Sequence, residues 1–119
     1  MKHIICVSLA LFFTSCNLTF DGKFSKVQRG LSRLEVKKLI GEPNATRSDV
    51  VPDRPYWGPT EGLASVIGNN APYEEWQYKD SQYDYYIWFS TTEDKPKKEW
   101  VVIGKAKYPQ GAVFEASQP

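Results

Sequence analysis

Few side chains in this chain of 119 residues could carry chemistry, and their placement already limits what that chemistry is. Both cysteines, Cys6 and Cys16, and the one histidine, His3, fall within the first sixteen positions. That stretch has the outline of a secretory signal peptide over 1–15: a basic Lys2, a ten-residue run over 4–13 that is apolar but for Ser8, and the small residues Thr14 and Ser15 before Cys16. An apolar run of this length is about half of what a membrane-spanning helix needs, so the segment addresses the chain and does not span with it. Once it is removed, no thiol other than Cys16 and no imidazole remain. An internal disulfide, a zinc cluster and cysteine catalysis are therefore excluded from the exported part.

Catalysis would then have to rest on carboxylates, Lys, Tyr and Ser. Glu74 and Glu75 are adjacent; on a strand they point to opposite faces and do not form an acid–base pair. Asp80 and Asp84 flank a turn signal and offer far fewer oxygens than a good calcium site gathers, so a solvated turn is the expected reading. Asp49, Asp53 and Glu61 would serve a hydrolase only if two of them converged in a cleft with perturbed pKa values. Lys95, Lys97, Lys98, Lys105 and Lys107 gather near the C-terminal end. They read first as protection of a sheet edge and second as a contact for anionic headgroups. Loss of Lys2 leaves 14 basic and 14 acidic residues, so net charge points to no nucleic-acid partner. The sequons at Asn17 and Asn44 matter only in a eukaryotic host. The expectation is a protein with no catalytic residues, no metal, no cofactor and no small-molecule substrate.

Cys16 is the exception. The run Phe13-Thr14-Ser15-Cys16 resembles the bacterial lipobox, whose cysteine is acylated before cleavage in front of it; Phe13 stands where a branched aliphatic is usual. A lone thiol in an oxidising compartment is a liability unless something occupies it. Acyl chains on one N-terminus give lasting membrane attachment, at about 0.8 kcal/mol per buried methylene. Asn17 after the cysteine resembles lipoproteins sent to the outer membrane.

The element with the clearest grammar is a helix over 33–40. Ser32 and Glu35 have capping-box spacing, Leu31 and Val36 are placed as a hydrophobic staple, and Gly41 and Pro43 end the helix. Eight residues cannot persist alone in water, so Leu34, Val36, Leu39 and Ile40 are expected to be buried. Phe24 and Val27 between Gly22 and Gly30 predict a shorter first helix, with Asp21 as its cap. Residues 44–72 show no sustained period and carry Pro52, Pro55, Pro59 and Pro72. They read as an excursion with one helical turn near 63–67 and with Tyr56 and Trp57 folded back as a lid.

From Tyr73 the pattern turns to β. Strands are expected over 74–79, 83–91 and 98–108, joined by short turns into an antiparallel meander. Trp76, Ile87, Phe89, Val101 and Ile103 are placed against the helices, which makes a two-layer α+β core. Tyr86, Trp88, Trp100 and Val102 then fall on the other face, too apolar for bare solvent. Tyr86, Trp88 and Trp100 are the candidate partner surface, because aromatics dominate interface hot spots. The organisation so derived is a signal peptide over 1–15, a lipidated tether over 16–22, a domain over 23–108 with the insertion 44–72, and a tail over 109–119.

Phe24-Ser25-Lys26-Val27-Gln28-Arg29-Gly30-Leu31-Ser32, Glu35-Val36, Leu39-Ile40-Gly41-Glu42-Pro43, Glu75-Trp76-Gln77-Tyr78 and Ile87-Trp88-Phe89 together resemble the SmpA/OmlA (BamE-like) family of small outer-membrane lipoproteins. The resemblance covers about residues 24–107 and only scaffold positions, so it implies no partner-binding residue. It implies a helix, helix, three-strand order and a lipid-anchored periplasmic module at the outer membrane, binding a protein of the cell envelope and serving outer-membrane protein assembly or envelope integrity. The alternative is a soluble secreted binding or inhibitor domain resembling the β-lactamase inhibitor protein unit.

Overall fold

A computed structural model describes residues 19–52 and 62–112. The signal-like segment, Cys16, Asp53, Tyr56, Trp57, Glu61 and the end of the tail lie outside the described residues. Helix α1 is Phe20–Phe24, α2 is Arg33–Ile40 and α3 is Ala64–Ile67; the strands are β1 (Ala45–Val50), β2 (Pro72–Lys79), β3 (Tyr83–Ser90) and β4 (Val101–Pro109). The architecture is α+β, with one antiparallel sheet in the order β1-β2-β3-β4. The sheet has four strands, not the expected three.

The added strand, β1, lies inside the stretch read as an irregular excursion. Its sequence, Ala-Thr-Arg-Ser-Asp-Val, is exposed at all six positions. An edge strand with little to bury carries no hydrophobic alternation, which is why periodicity passes over it. The helical turn expected near 63–67 is α3, ended by Gly68 at φ 90°.

Helix α2 forms as its caps dictate. Ser32 Oγ accepts from the Glu35 amide at 3.2 Å, and Glu35 Oε1 accepts from the Ser32 amide at 2.9 Å. The Ser32 amide bonded to its charged form, with the Ser32 hydroxyl beside it, holds the Glu35 carboxyl below the usual range. Val36 is fully buried, and Leu39 and Ile40 pack beside it, but Leu34 is 62% exposed. Two residues turn a helix by about 200°, so Leu34 cannot share the stripe of Val36. Helix α1 is capped by Thr19, whose Oγ1 accepts from the Gly22 amide at 3.1 Å, and not by Asp21. It begins at Phe20, inside the expected tether, because Phe20 packs edge-on to Tyr85 with ring centres 4.7 Å apart. It ends at Phe24, so Val27 is buried from the following turn.

The sheet buries side chains on both faces. Under α1 and α2 lie Phe24, Val27, Val36, Trp76, Tyr78, Tyr85, Ile87, Phe89, Trp100 and Val102. On the opposite face Val51, Leu63, Tyr73, Trp88 and Ile103 form a second cluster, with α3 packed on it through Ala64, Val66 and Ile67. Each fully buried Ile, Val or Phe contributes about 1.5–3 kcal/mol, enough to hold helices too short to persist unaided.

The face assignment of β4 is the reverse of the one expected. Phe89 pairs with Val102 and Ser90 with Val101, which carries Trp100 and Val102 to the helix side with Phe89. Trp88 pairs with Gly104, so Ile103 is the extra residue of a bulge, and it joins the opposite cluster. The chain between β3 and β4 also holds a 3₁₀ turn, Lys97–Glu99, where the third expected strand was to begin.

Candidate functional site

The three aromatics expected to form one partner surface do not share a face. Trp100 is 8% exposed on the helix side, where its Nε1 donates to the Lys95 carbonyl at 3.0 Å and the Arg33 guanidinium lies 6.0 Å from the ring centre. Trp88 is 3% exposed on the other side. Tyr86 is half-buried, stacked parallel to Trp88 at 5.9 Å and edge-on to Tyr108 at 6.0 Å. Trp88 and Trp100 are mostly taken up by packing on opposite faces, so the three rings do not make one surface.

Beneath Trp88 lies a polar centre that the sequence reading missed. Arg47, Glu75 and Trp88 are direct cross-strand partners on β1, β2 and β3, so pleating puts all three on one face. Glu75 has only 2% of its side chain exposed. Its Oε1 accepts from Trp88 Nε1 at 2.9 Å and Arg47 Nη2 at 3.2 Å, and its Oε2 accepts from Arg47 Nε at 3.4 Å and from Gln77 Nε2. Arg47 also bonds Tyr73 Oη at 3.3 Å and Asp49 Oδ2 at 2.7 Å. The carboxylate beside it raises the Arg47 pKa further, while burial raises that of the Tyr73 phenol. With four donors on two oxygens, Glu75 keeps no free position for a substrate proton. The cluster fastens β1 to the sheet and satisfies the one buried acid of this face. The signal was present in the alternation of β2, which sets Tyr73, Glu75 and Gln77 opposite Trp76; a buried acid there needed a cation from a strand the sequence did not reveal.

The remaining candidates are also placed. Glu74 is on the helix side, 2.5 Å from Arg33 Nε, so the two adjacent acids serve opposite faces. Asp80 Oδ1 accepts the amides of Gln82 and Tyr83, both at 2.8 Å, and its Oδ2 accepts from Tyr85 Oη at 2.8 Å. These bonds hold its carboxyl below the usual range and leave it no part in an ion site with Asp84. Among the described residues no group of three or more His, Cys, Asp or Glu side chains could hold a metal. Asp49 lies on β1, while Asp53 and Glu61 are outside the described residues. Lys105 and Lys107 are not a loose basic end. Lys105 Nζ donates to the Phe24 carbonyl at 2.9 Å, and Lys107 Nζ pairs with Asp21 at 2.6 Å. Both clamp α1 to the sheet.

Among the described residues two grooves run along β4. One groove of about 480 Å³ runs beside the turn after α1, lined by Ser25, Val27, Gln28, Arg29, Val102, Gly104 and Lys105. A second, of about 290 Å³, lies over the other face against Leu63, Val66, Trp88, Ile103 and Tyr108. Arg29, Gly104 and Lys105 line both. Arg29 is exposed and makes no ion pair or hydrogen bond among the described residues. Gly104 keeps the wall between them thin: a Cβ there would lie 3.6 Å from Trp88 Cε3 and 3.9 Å from Leu63 Cδ2. Two grooves meeting at a sheet edge, under a guanidinium with no ion pair among the described residues, offer room and positive charge for an extended, anionic segment. Among the described residues no helix is long and apolar enough to cross a membrane. The chain matches no protein-family model, no curated protein and no solved structure.

Proposed function

We propose that this protein is a lipid-anchored periplasmic interaction module of the bacterial outer membrane, related to the SmpA/OmlA fold unit and acting without catalysis, as an accessory of outer-membrane protein assembly or envelope integrity. The observation that carries the reading is the pair of grooves meeting at Gly104 and Lys105, with Arg29 uncommitted between them. Arg is favoured at interface hot spots because its planar fork binds carboxylates in two places at once. The signal-like segment 1–15 and the acylatable Cys16 support the location. The soluble secreted binding domain is the second reading, favoured only if Cys16 is left unmodified.

Two measurements test this. Intact mass of the exported protein separates the readings: loss of fifteen residues plus acyl mass supports the anchor, and an unmodified chain supports the soluble domain. A photo-crosslinking side chain at position 29 should yield protein adducts in envelopes, whereas one at the exposed position 34 on α2 should not. Equal adducts from both positions, or none from position 29, would remove the groove as the binding surface.

A further inference from the structure

The sheet has two free edges, and they are treated differently. At β4 the Gly30 amide donates to the Val102 carbonyl at 2.9 Å and the Val102 amide to the Leu31 carbonyl at 2.8 Å, so a neighbouring segment covers the start of the edge; Lys105 and Lys107 follow. At β1 there is no such cover among the described residues. Ala45–Val50 is exposed throughout, pairs with β2 without a bulge, and contains no Pro, Gly or Lys. Bulges, Pro and Lys are among the devices by which edge strands are kept from pairing; of such devices β1 carries only the charges of Arg47 and Asp49, which are of opposite sign.

From this edge we infer that the protein self-associates through β1, two copies pairing antiparallel about a twofold axis at Ser48 to give one continuous eight-stranded sheet. Backbone direction supports it. The Val51 amide donates to Ala71 O at 2.9 Å, so by alternation Asp49, Arg47 and Ala45 spend their groups on β2, while Val50, Ser48 and Thr46 direct theirs outward. The Val50 amide is indeed met by a side chain, Asp49 Oδ1 at 2.8 Å.

Charge then selects the register. A twofold axis normal to the sheet keeps each face with itself, so only residues of the same face can oppose each other. Centring on position 47 sets Arg47 against the partner's Arg47, and centring on position 49 sets Asp49 against the partner's Asp49. Centring on Ser48 sets Arg47 against the partner's Asp49 twice over, with Thr46 opposite the partner's Val50 on the other face. Asp49 exchanges its own Arg47, 2.7 Å away, for the partner's, and the Val50 amide passes to a backbone carbonyl. Arg47 keeps Glu75 throughout. Lys97 reaches the Ser48 hydroxyl at 3.2 Å and leaves the backbone edge clear. One strand pair is a small interface, so the association is weak and follows concentration.

Sedimentation equilibrium of the purified protein over rising concentration should show monomer passing to dimer. Ser48→Pro removes an outward amide that the monomer does not use, a change edge strands tolerate, and should leave monomer at every concentration with unchanged circular dichroism. Asp49→Lys should weaken the dimer about tenfold by setting like charges opposite each other. Paired strand positions of this kind lie about 5.5 Å apart, within disulfide reach, so Ser48→Cys should oxidise to a covalent dimer whose linkage at position 48 is read by peptide mass. A protein that stays monomeric throughout, or a dimer equally strong in Asp49→Lys and not linked through position 48, overturns the inference. If Ser48→Pro fails to fold, the other two variants still decide it.

Discussion

The indole N–H of Trp88 donates to Glu75 Oε1 at 2.9 Å in the buried interior of the second sheet face. That single contact joins β3 to a carboxylate whose charge is balanced from β1 by Arg47. Trp88 thus reaches a polar partner while its ring packs with Leu63, Tyr73 and Ile103, as a buried Trp usually must.

Removing one member of this cluster should therefore cost more than removing two. Glu75→Ala leaves the Trp88 N–H and part of the Arg47 guanidinium without an acceptor and should destabilise by about 2–4 kcal/mol. Trp88→Phe withdraws one donor of four from Glu75, and with the smaller ring should cost about 1–3 kcal/mol. The double variant Arg47→Met with Glu75→Met should recover a large part of the Glu75→Ala loss, since neither charge is then stranded. Urea denaturation of the three proteins measures this; a double variant less stable than Glu75→Ala would show that Arg47 holds β1 through Asp49 and Tyr73 even without Glu75.

What the sequence discloses follows how much each element buries. Helix α2 was legible to the residue, since Ser32, Glu35 and Gly41 fix its ends by local chemistry alone. Strand β3 was legible because Tyr85, Ile87 and Phe89 alternate cleanly with Tyr86 and Trp88. Strand β1 was hidden: an exposed edge has no apolar period, and its role is expressed only when Arg47 meets Glu75 across 28 positions. The face of β4 was hidden for another reason, because Val101, Val102 and Ile103 are equally apolar and only pairing with Phe89, plus the bulge, decides which of them turns inward. Arg29 could not be singled out, because a groove is a property of three elements together.

The capping box offers a local test. Ser32→Ala removes the acceptor for the Glu35 amide and should lower stability by about 1 kcal/mol, shifting the denaturation midpoint with an unchanged slope. Ser32→Asp should keep the cap and most of the stability. If alanine and aspartate behave alike, packing of Val36 and not the cap sets the start of α2.

Alkaline unfolding should be steep. Burial raises the pKa of Tyr73, Tyr78, Tyr85 and Tyr86, and for Tyr85 the Asp80 carboxylate adds to the effect. A phenol whose folded pKa is raised contributes stability that is complete below its unfolded value of about 10 and is lost as pH climbs toward the folded value. The share of tyrosinate absorbance that comes from these four phenols should consequently be held back past pH ~10 and then appear together with loss of circular dichroism. Tyr85→Phe should make the alkaline limb shallower. Gradual titration of all seven tyrosines near their ordinary pKa, with the fold intact, would contradict this burial.

Gly104 separates the grooves from the fold that carries them. Its backbone has no left-handed φ, and a Cβ would meet Trp88 and Leu63 at ordinary contact distances, so nothing in the strand requires glycine. Alanine restricts the unfolded chain and suits a strand better, so Gly104→Ala should raise stability by about 0.5–1 kcal/mol. The same methyl thickens the wall between the two grooves and takes space from the one lined by Trp88 and Leu63. Photo-adducts from position 29 should then fall although the protein is more stable, a combination that loss of folding cannot produce. A stabilised variant with undiminished adducts would place the partner along Arg29 and Ser25 alone, and a destabilised one would mean that β4 needs glycine for a backbone reason, at the bulge beside Ile103.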